Sequence, residues 1–383
     1  MTARQGPFLP RGAVLFSDGA ISYEFIERLG RGPHGESLLL ARRRTPQGLG
    51  REVILKCVVL PEGPPTAAAL KSRARLEEEV RLASYLHHPR ISRSHGPHRV
   101  QDAVYALVEC IEGASLCNLL SVDPERVHRF SDAFILHLGA QVAGALAYAH
   151  TRTDEAGRPL GIVHRAVDLE RIYVTWGGHI QLTDFGLAFS LLAGRRPSTE
   201  QRPRGNVYYC SPELLLGGPV DARSDLFSLG TVLLEMAAGV NLFDPPRGMP
   251  ERSDGNLSPR ERRRMLRAIR TAKRVGFDAS VEGVIRRAAT FTSEDIAEAT
   301  QGLPESLRSP IRRLLQREPA ERYPDATRLE ADLASRLEAQ GPRGPQETRN
   351  EIEKALLESG KRLAEFDSGL SWPNSSRSEG GAI

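Results

Sequence analysis

Hydrophobic and polar positions change their period along the chain, and those changes divide it. From Tyr23 to Val59, short apolar runs (FIERLG, SLLLARR, EVILKCVVL) alternate with glycine-containing turns, the pattern of a strand meander. Between about Ala67 and His87 the period becomes helical: Leu76, Val80, Ala83 and Leu86 recur at three- and four-residue steps and share one face. Glu79 falls inside that apolar face, whereas Glu77 and Glu78 point away. A carboxylate on a buried face requires a cation. AVYALVECIEG then reads as strand and turn, and the remainder is mainly helical. Phe134, Leu138, Val142 and Leu146 mark one long helix and LFSLGTVLLEMAAG a buried one, with GIVHR and HIQLTDFG as short strands.

The predicted class is therefore α+β, a small β-rich lobe with one helix over about residues 23–110 and a larger helical lobe over about 111–335. Residues 1–22, rich in Gly, Pro and Arg up to about Asp18, are expected to be a flexible lead-in. Residues 336–383 are expected to hold a linker around GPRGPQ, an amphipathic helix and a disordered Ser/Gly-rich end. Ile352, Leu356, Leu363 and Phe366 fall in register on that helix, whose commonest role is to pack on its own domain.

Composition narrows the class further. A chain of 383 residues that is 40% hydrophobic can build one large globular domain or two small ones. A formal net charge of +4 is modest at this length and does not indicate a nucleic-acid binder. Cys57, Cys110, Cys117 and Cys210 fall singly, without metal-ligand spacing, which suits a reducing compartment. The N-terminus lacks the apolar core of a signal peptide, and no run of about 18 apolar residues occurs. The expectation is a soluble, cytoplasmic protein without a membrane span.

Gly30-x-Gly32-x-x-Gly35 is the first candidate for chemistry. The same spacing serves dinucleotide folds, but there a helix follows the glycines at once. Here strand-like segments lie on both sides, giving a hairpin whose tip could fold over phosphates, with glycines letting backbone N–H groups approach the oxyanions.

In order along the chain come LGRGPHG, Lys56 in VILK, Glu79 ahead of HHPRI, VECIEG, HRAVDLERI, Asp184-Phe185-Gly186, Ser211-Pro212-Glu213, SDLFSLG and Arg322 in ERYPDA. Over about residues 23–335 this series resembles the protein kinase family, bacterial Ser/Thr type. The resemblance implies a bilobal fold, ATP as ligand and Mg²⁺ at one site, with Asp184 as its ligand. It makes Lys56 the cation that Glu79 requires, the pair that holds the lysine on the phosphates. The nucleotide positions it implies are Leu29, Gly30, Gly32, Gly35, Ser37, Ile54, Lys56, Glu79, Glu109, Ile111 and Tyr173. Glu213 and Arg322 are expected to form a buried ion pair, and Asp225 to brace the loop after Val163.

That loop departs from the family's H-R-D-x-K-x-x-N. Ala166 stands where an aspartate orients the acceptor hydroxyl, Asp168 where a lysine steadies the γ-phosphate, and Arg171 where an asparagine holds the second metal ion. Asn206 replaces the threonine that contacts the first two. Loss of a positioned base costs roughly 10²–10⁴-fold in rate. A unit charge about 5 Å from a phosphate charge is worth roughly 3 kcal/mol at an effective dielectric near 20, and reversing its sign about twice that. The three substitutions sum to zero charge, as the family's residues do, so a rearranged site with Asp168 as base and Arg171 as phosphate clamp is the counter-reading. Ile54 and Tyr173 would press on an adenine ring from both sides, while Ser37 gives back volume.

The implied function is a degenerate Ser/Thr kinase domain, a pseudokinase acting as a nucleotide-responsive regulator or scaffold, with a weakly active kinase as the alternative. Its partner would be a protein, an active kinase or a signalling complex among them, and not a nucleic acid. SPRERRRMLRAIRTAKRV, within a basic segment over 244–307, predicts a helix with Met265, Ile269, Ala272 and Val275 inward. Its arginines point outward, a solvated face or a surface for an acidic protein. Ser198 and Thr199 lie among arginines ahead of the Ser211-Pro212-Glu213 segment, an exposed basic loop or a phosphorylation site.

Overall fold

The structure is a computed structural model that describes residues 10–32, 35–61, 63–120, 130–192, 205–244, 257–274, 277, 279–341 and 343–358. It separates into two compact units, one built from the chain up to His87 with Ser92–Ile111, the other from His88–Ile91 and the chain from Glu112 through Glu358.

Unit 1 is an antiparallel sheet and one helix. Strands β1 (Val14–Asp18), β2 (Ile21–Arg31), β3 (Ser37–Thr45), β4 (Gly48–Val59), β5 (Ser94–Val100) and β6 (Ala103–Glu109) lie in the order β1-β2-β3-β4-β6-β5. The expected flexible lead-in over residues 1–22 is corrected from Val14 onward, and residues 1–9 lie outside the described residues. The apolar run Val14-Leu15-Phe16 pairs with β2 across a turn at Gly19, and Phe16 is buried, stacked on Tyr23 and Tyr105 at 4.6 and 4.8 Å. Strand β4 is buried on both faces, so its residues read as a continuous apolar run rather than an alternation. Val53, Leu55 and Cys57 join Phe16, Tyr23, Leu39 and Tyr105 on one face. Ile54, Lys56 and Val58 point to the other, where Val58 packs with Leu76 and Val80 of helix α1 (Ala67–Ala83).

Unit 2 is mainly helical. A three-stranded sheet of β7 (Gly113–Ser115), β8 (Ile172–Thr175) and β9 (Ile180–Leu182) accompanies α2 (Leu116–Leu120) and α3 (Asp132–His150). After them come α4 (Pro212–Leu215), α5 (Ala222–Ala238), α6 (Pro259–Arg274), α7 (Ala279–Thr290), α8 (Ser293–Ala299), α9 (Glu305–Leu314), α10 (Ala326–Glu338) and α11 (Pro345–Glu358). GIVHR, expected as a strand, makes a single bridge from Val163 to Phe189, because the amides of His164 and Arg165 are taken by the Asp225 carboxylate instead of a neighbouring strand. Helix α3 is long and apolar enough to cross a membrane by length and composition, and most of it is buried inside the protein. Phe134, Leu138, Val142 and Leu146 are among its buried residues, and Ser131 caps its first turn.

Helix α11 packs on its own unit through Ile352, Ala355 and Leu356, while the expected register partners Leu363 and Phe366 lie outside the described residues. Its Glu351 accepts from the amide and hydroxyl of Ser131 and pairs with Arg343, tying the helix to the start of α3.

His137 of α3 is buried near this junction. Burial, then the cations Arg343 and Arg90, push its pKa down to about 4 against Glu347, from an ordinary 6.5. A histidine depressed in the folded state stabilises the fold above pH 6.5 and loses that contribution as the pH falls toward 4. Urea unfolding from pH 7 to 4 is expected to show a falling midpoint, and His137→Gln to flatten the part of the slope below pH 6.5.

Candidate functional site

In unit 1 the period-two alternation of β4 aims Lys56 at α1, and the helical period of α1 brings Glu79 to meet it. Lys56 Nζ donates to Glu79 Oε1 at 2.6 Å, with both side chains almost wholly buried. Neither charge is tolerable there without the other; removing one partner of such a pair typically costs about 3–5 kcal/mol. Glu77, on the outer face of the helix, pairs instead with Arg73 and Arg99.

The glycine hairpin joins β2 to β3, with Gly30 opposite Leu38 and Arg31 opposite Ser37. Gly30 and Gly35 have φ of +149° and +86°, which glycine adopts at little cost. Pro33 and His34 lie outside the described residues. Glu36, absent from the sequence-based site, is 2% exposed, and its carboxylate lies where a Cβ on Gly32 would stand. An acid beside the glycines whose amides would face a phosphate opposes that anion; its position between Gly35 and Ser37 was the signal available in the sequence.

Leu29 and Ile54 pack with Leu38 and Val108 on the face of the sheet that carries Lys56. Glu109 ends β6 exposed, its carboxylate accepting from the Arg93 amide at 3.3 Å, and Ile111 follows half-buried. Tyr173, in unit 2, is half-buried in β8 opposite Ser115 and Gln181.

In unit 2 the segment after Val163 is fixed by a network of carboxylate and carbonyl contacts. Asp225 accepts from the amides of His164 and Arg165, both at 2.7 Å, and contacts His150 Nε2 at 2.8 Å. His164 Nε2 meets the carbonyl of Thr183 at 2.9 Å. Arg165 donates to the carbonyl of Leu187 through Nε and Nη2 at 3.0 and 2.6 Å. Arg165 and Asp184 both hold positive φ, +63° and +60°, conformations that persist in a non-glycine residue only where surrounding contacts impose them.

Three ionised groups close the centre of this loop. Arg171 Nη1 donates to Asp168 Oδ2, and Arg171 Nε to Asp184 Oδ2 at 3.3 Å, with every one of these side chains at most 1% exposed. Asp168 Oδ1 further accepts from the amides of Glu170 and Arg171, each at 3.1 Å. Burial pushes the Asp168 carboxyl upward, and Arg171 and the two amides pull it back. Burial opposes the Arg171 charge, but Asp168, Asp184 and Glu170 outweigh it, so its pKa rises. Glu170, half-buried beside Asp168, is pushed up to about 7, first by burial and then by that neighbouring charge. Arg171 Nη2 is buried with no hydrogen-bond partner.

These residues do not fit a divalent metal. At an effective dielectric near 20, a guanidinium about 4 Å from a divalent ion repels it by about 8 kcal/mol, which cancels the attraction of one carboxylate at the same distance. Arg171 is also hydrogen-bonded to Asp184, the expected ligand, so a metal would have to displace a cation already in place. Among the described residues no cluster of three His, Cys, Asp or Glu side chains could hold a metal. Asp168 is no better placed as a base, since both its oxygens are engaged inside the protein. Ala166 is buried, and a Cβ added at Gly205, which holds φ +74°, would stand 3.1 Å from its methyl carbon. Asn206 caps the turn that follows through the Tyr208 amide.

Away from this centre, Arg322 donates twice to Glu213, at 2.8 and 2.9 Å, and Ser224 completes the carboxylate's shell. Ser198, Thr199 and the arginines around them lie outside the described residues.

With this geometry the chain matches the protein kinase domain over residues 23–331, and it belongs to the protein kinase family. The fold is that family's α+β arrangement of a β-sheet lobe and a helical lobe, and the family as a whole uses ATP and Mg²⁺. The chain is 29% identical over 225 residues to the tyrosine-protein kinase MasK of Myxococcus xanthus, covering 58% of this chain and 33% of that protein. It is 31% identical over 170 residues to the serine/threonine-protein kinase PrkC of Bacillus subtilis, covering 44% and 24%. The serine/threonine-protein kinase pak-2 of Caenorhabditis elegans is 30% identical over 179 residues, 45% of this chain and 30% of that one. The matched regions thus span only a quarter to a third of these relatives.

Arg171→Ala is expected to destabilise the fold by about 3–5 kcal/mol, because two buried carboxylates lose the guanidinium they share. Asp168→Lys alone is expected to be worse tolerated than Asp168→Lys combined with Arg171→Asn, which restores one cation beside Asp184. Denaturant midpoints of the variants would test both expectations.

Proposed function

We propose that this chain is a pseudokinase: a kinase-fold binding module that regulates or scaffolds phosphorylation signalling without transferring phosphate. The observation that carries the reading is the Arg171 guanidinium held by Asp168 and Asp184, the position where the family's chemistry needs a metal ion. Ala166 adds to it, since a methyl group can neither orient nor deprotonate an acceptor hydroxyl. The rearranged-kinase alternative asks Asp168 to act as base and Arg171 as phosphate clamp, yet each is the other's partner.

The Lys56–Glu79 pair, formed and buried in unit 1, favours a nucleotide-responsive module over an inert scaffold. In this reading any nucleotide is held without Mg²⁺, because the Arg171 guanidinium already pairs with Asp184. The protein partner is of the class that an active kinase or signalling complex represents.

Thermal melting with millimolar ATP, in Mg²⁺ or in EDTA, tests the proposal, because a ligand that binds only the folded state raises the melting temperature by mass action. The expected result is equal melting temperatures in the two conditions and no transfer of labelled phosphate to a general acceptor protein. A rise in both conditions that Lys56→Met removes would mark a nucleotide-responsive switch. No rise in either would leave a module that works through its surface alone. A Mg²⁺-dependent rise accompanied by transfer that Lys56→Met abolishes would establish the weak kinase instead.

A further inference from the structure

Helix α6 carries eight basic residues and one acid, Glu261. Its buried edge is Met265, Ile269 and Ala272, as the sequence predicts for these three; Val275 lies outside the described residues. Arg260, Arg263, Arg267, Arg270 and Arg274 follow one another at steps of three, four, three and four, and all are exposed. At about 100° per residue they form one ridge opposite the buried edge, running about 21 Å along the helix. Glu261 does not neutralise the ridge, since it pairs with Arg317. Lys273, at its flank, is paired with Glu282. Arg263 and Arg270 donate to helix carbonyls, and none of the five has an acidic partner among the described residues.

Like charges three and four residues apart destabilise a helix, and here four successive pairs do so. Such an arrangement is held in place by the packing of its apolar edge and is relieved by an external anion. We propose that this ridge docks an acidic segment of a protein partner. Guanidinium groups suit carboxylates because the planar fork can donate two parallel hydrogen bonds. An extended acidic stretch of roughly six or seven residues matches the length of the ridge.

Leu266 and Phe277, 41% and 37% exposed, give the basic helix exposed apolar neighbours, the mixture that protein interfaces use. A membrane surface fits less well, because the apolar edge that would enter it is already the core of unit 2. Nucleic acid fits less well because no aromatic residue interleaves the arginines for base stacking. The surface is independent of whether the chain binds nucleotide.

The test is fluorescence anisotropy of a labelled polyglutamate peptide titrated with the full chain, with duplex DNA and phosphatidylserine vesicles measured in parallel. The wild type is expected to bind the peptide in a salt-dependent manner. Arg263→Glu/Arg267→Glu/Arg270→Glu is expected to weaken it about tenfold or more. The same number of reversals elsewhere, Arg51→Glu/Arg328→Glu/Arg349→Glu, is expected to change it little. Melting of the ridge variant should match or exceed the wild type. If reversal unfolds the chain, the corresponding Arg→Gln triple, which removes charge without reversing it, reads the same loss. Absence of peptide binding, binding indifferent to the ridge variants, or tighter ridge-dependent binding to DNA or vesicles would each overturn the proposal.

Discussion

Arg171, Asp168 and Asp184 form a buried triad in unit 2 in which one guanidinium holds two carboxylates. Each is at most 1% exposed, so each charge is tolerable only because the others are ionised beside it. An isolated buried carboxylate would take up a proton, and an isolated buried arginine has no such escape because its guanidinium stays charged at any ordinary pH. Arg171 is therefore the counter-charge that both acids share. It also sets their positions, since its Nε and Nη1 reach different carboxylates. A centre of this kind is a packed structural element, and its exchangeable capacity for a metal or a proton is correspondingly small.

The frame around it retains the shape that such a loop requires. Asp225 still binds two consecutive amides, and Arg165 and Asp184 still occupy strained left-handed backbone. Backbone strain of this kind costs about 1–3 kcal/mol per residue and is sustained by surrounding contacts. In the kinase family the same frame presents reactive groups. Here Asp168 and Asp184 on that frame are paired with Arg171.

How much of this was legible in the sequence varied with the kind of information each feature depends on. The Lys56–Glu79 pair was legible because the period of α1 puts Glu79 on an apolar face, where an acid demands a cation, and the resemblance to the kinase family supplies Lys56. The inward edge of α6 was legible from its helical period. The sequence placed a cation at Arg171, but its engagement by Asp168 and Asp184 depends on where segments thirteen residues apart fold back, which no period encodes. GIVHR failed as a strand because a distant carboxylate, Asp225, claims its amides. Strand β1 was missed because Gly12 and Gly19 made the N-terminal region read as a loop, whereas the run Val14-Leu15-Phe16 between them completes the sheet. Glu36 was not legible as part of the hairpin because glycine spacing does not encode which side chain folds back over Gly32.

Charge compensation also explains why the departures from the kinase pattern come as a set. Replacing Arg171 alone by asparagine would take from Asp168 and Asp184 the guanidinium they share. Replacing Asp168 alone by lysine would put a second cation against Arg171, with only Asp184 to balance both. Introducing an aspartate at Ala166 alone would add a further acid at a buried position close to Gly205. Each single step toward the family pattern thus upsets the balance of buried charge, typically a cost of several kcal/mol against a total stability of about 5–15 kcal/mol. The combination of Ala166, Asp168 and Arg171 is therefore a local minimum in sequence as well as in structure, separated from the family's pattern by intermediates that fold less well.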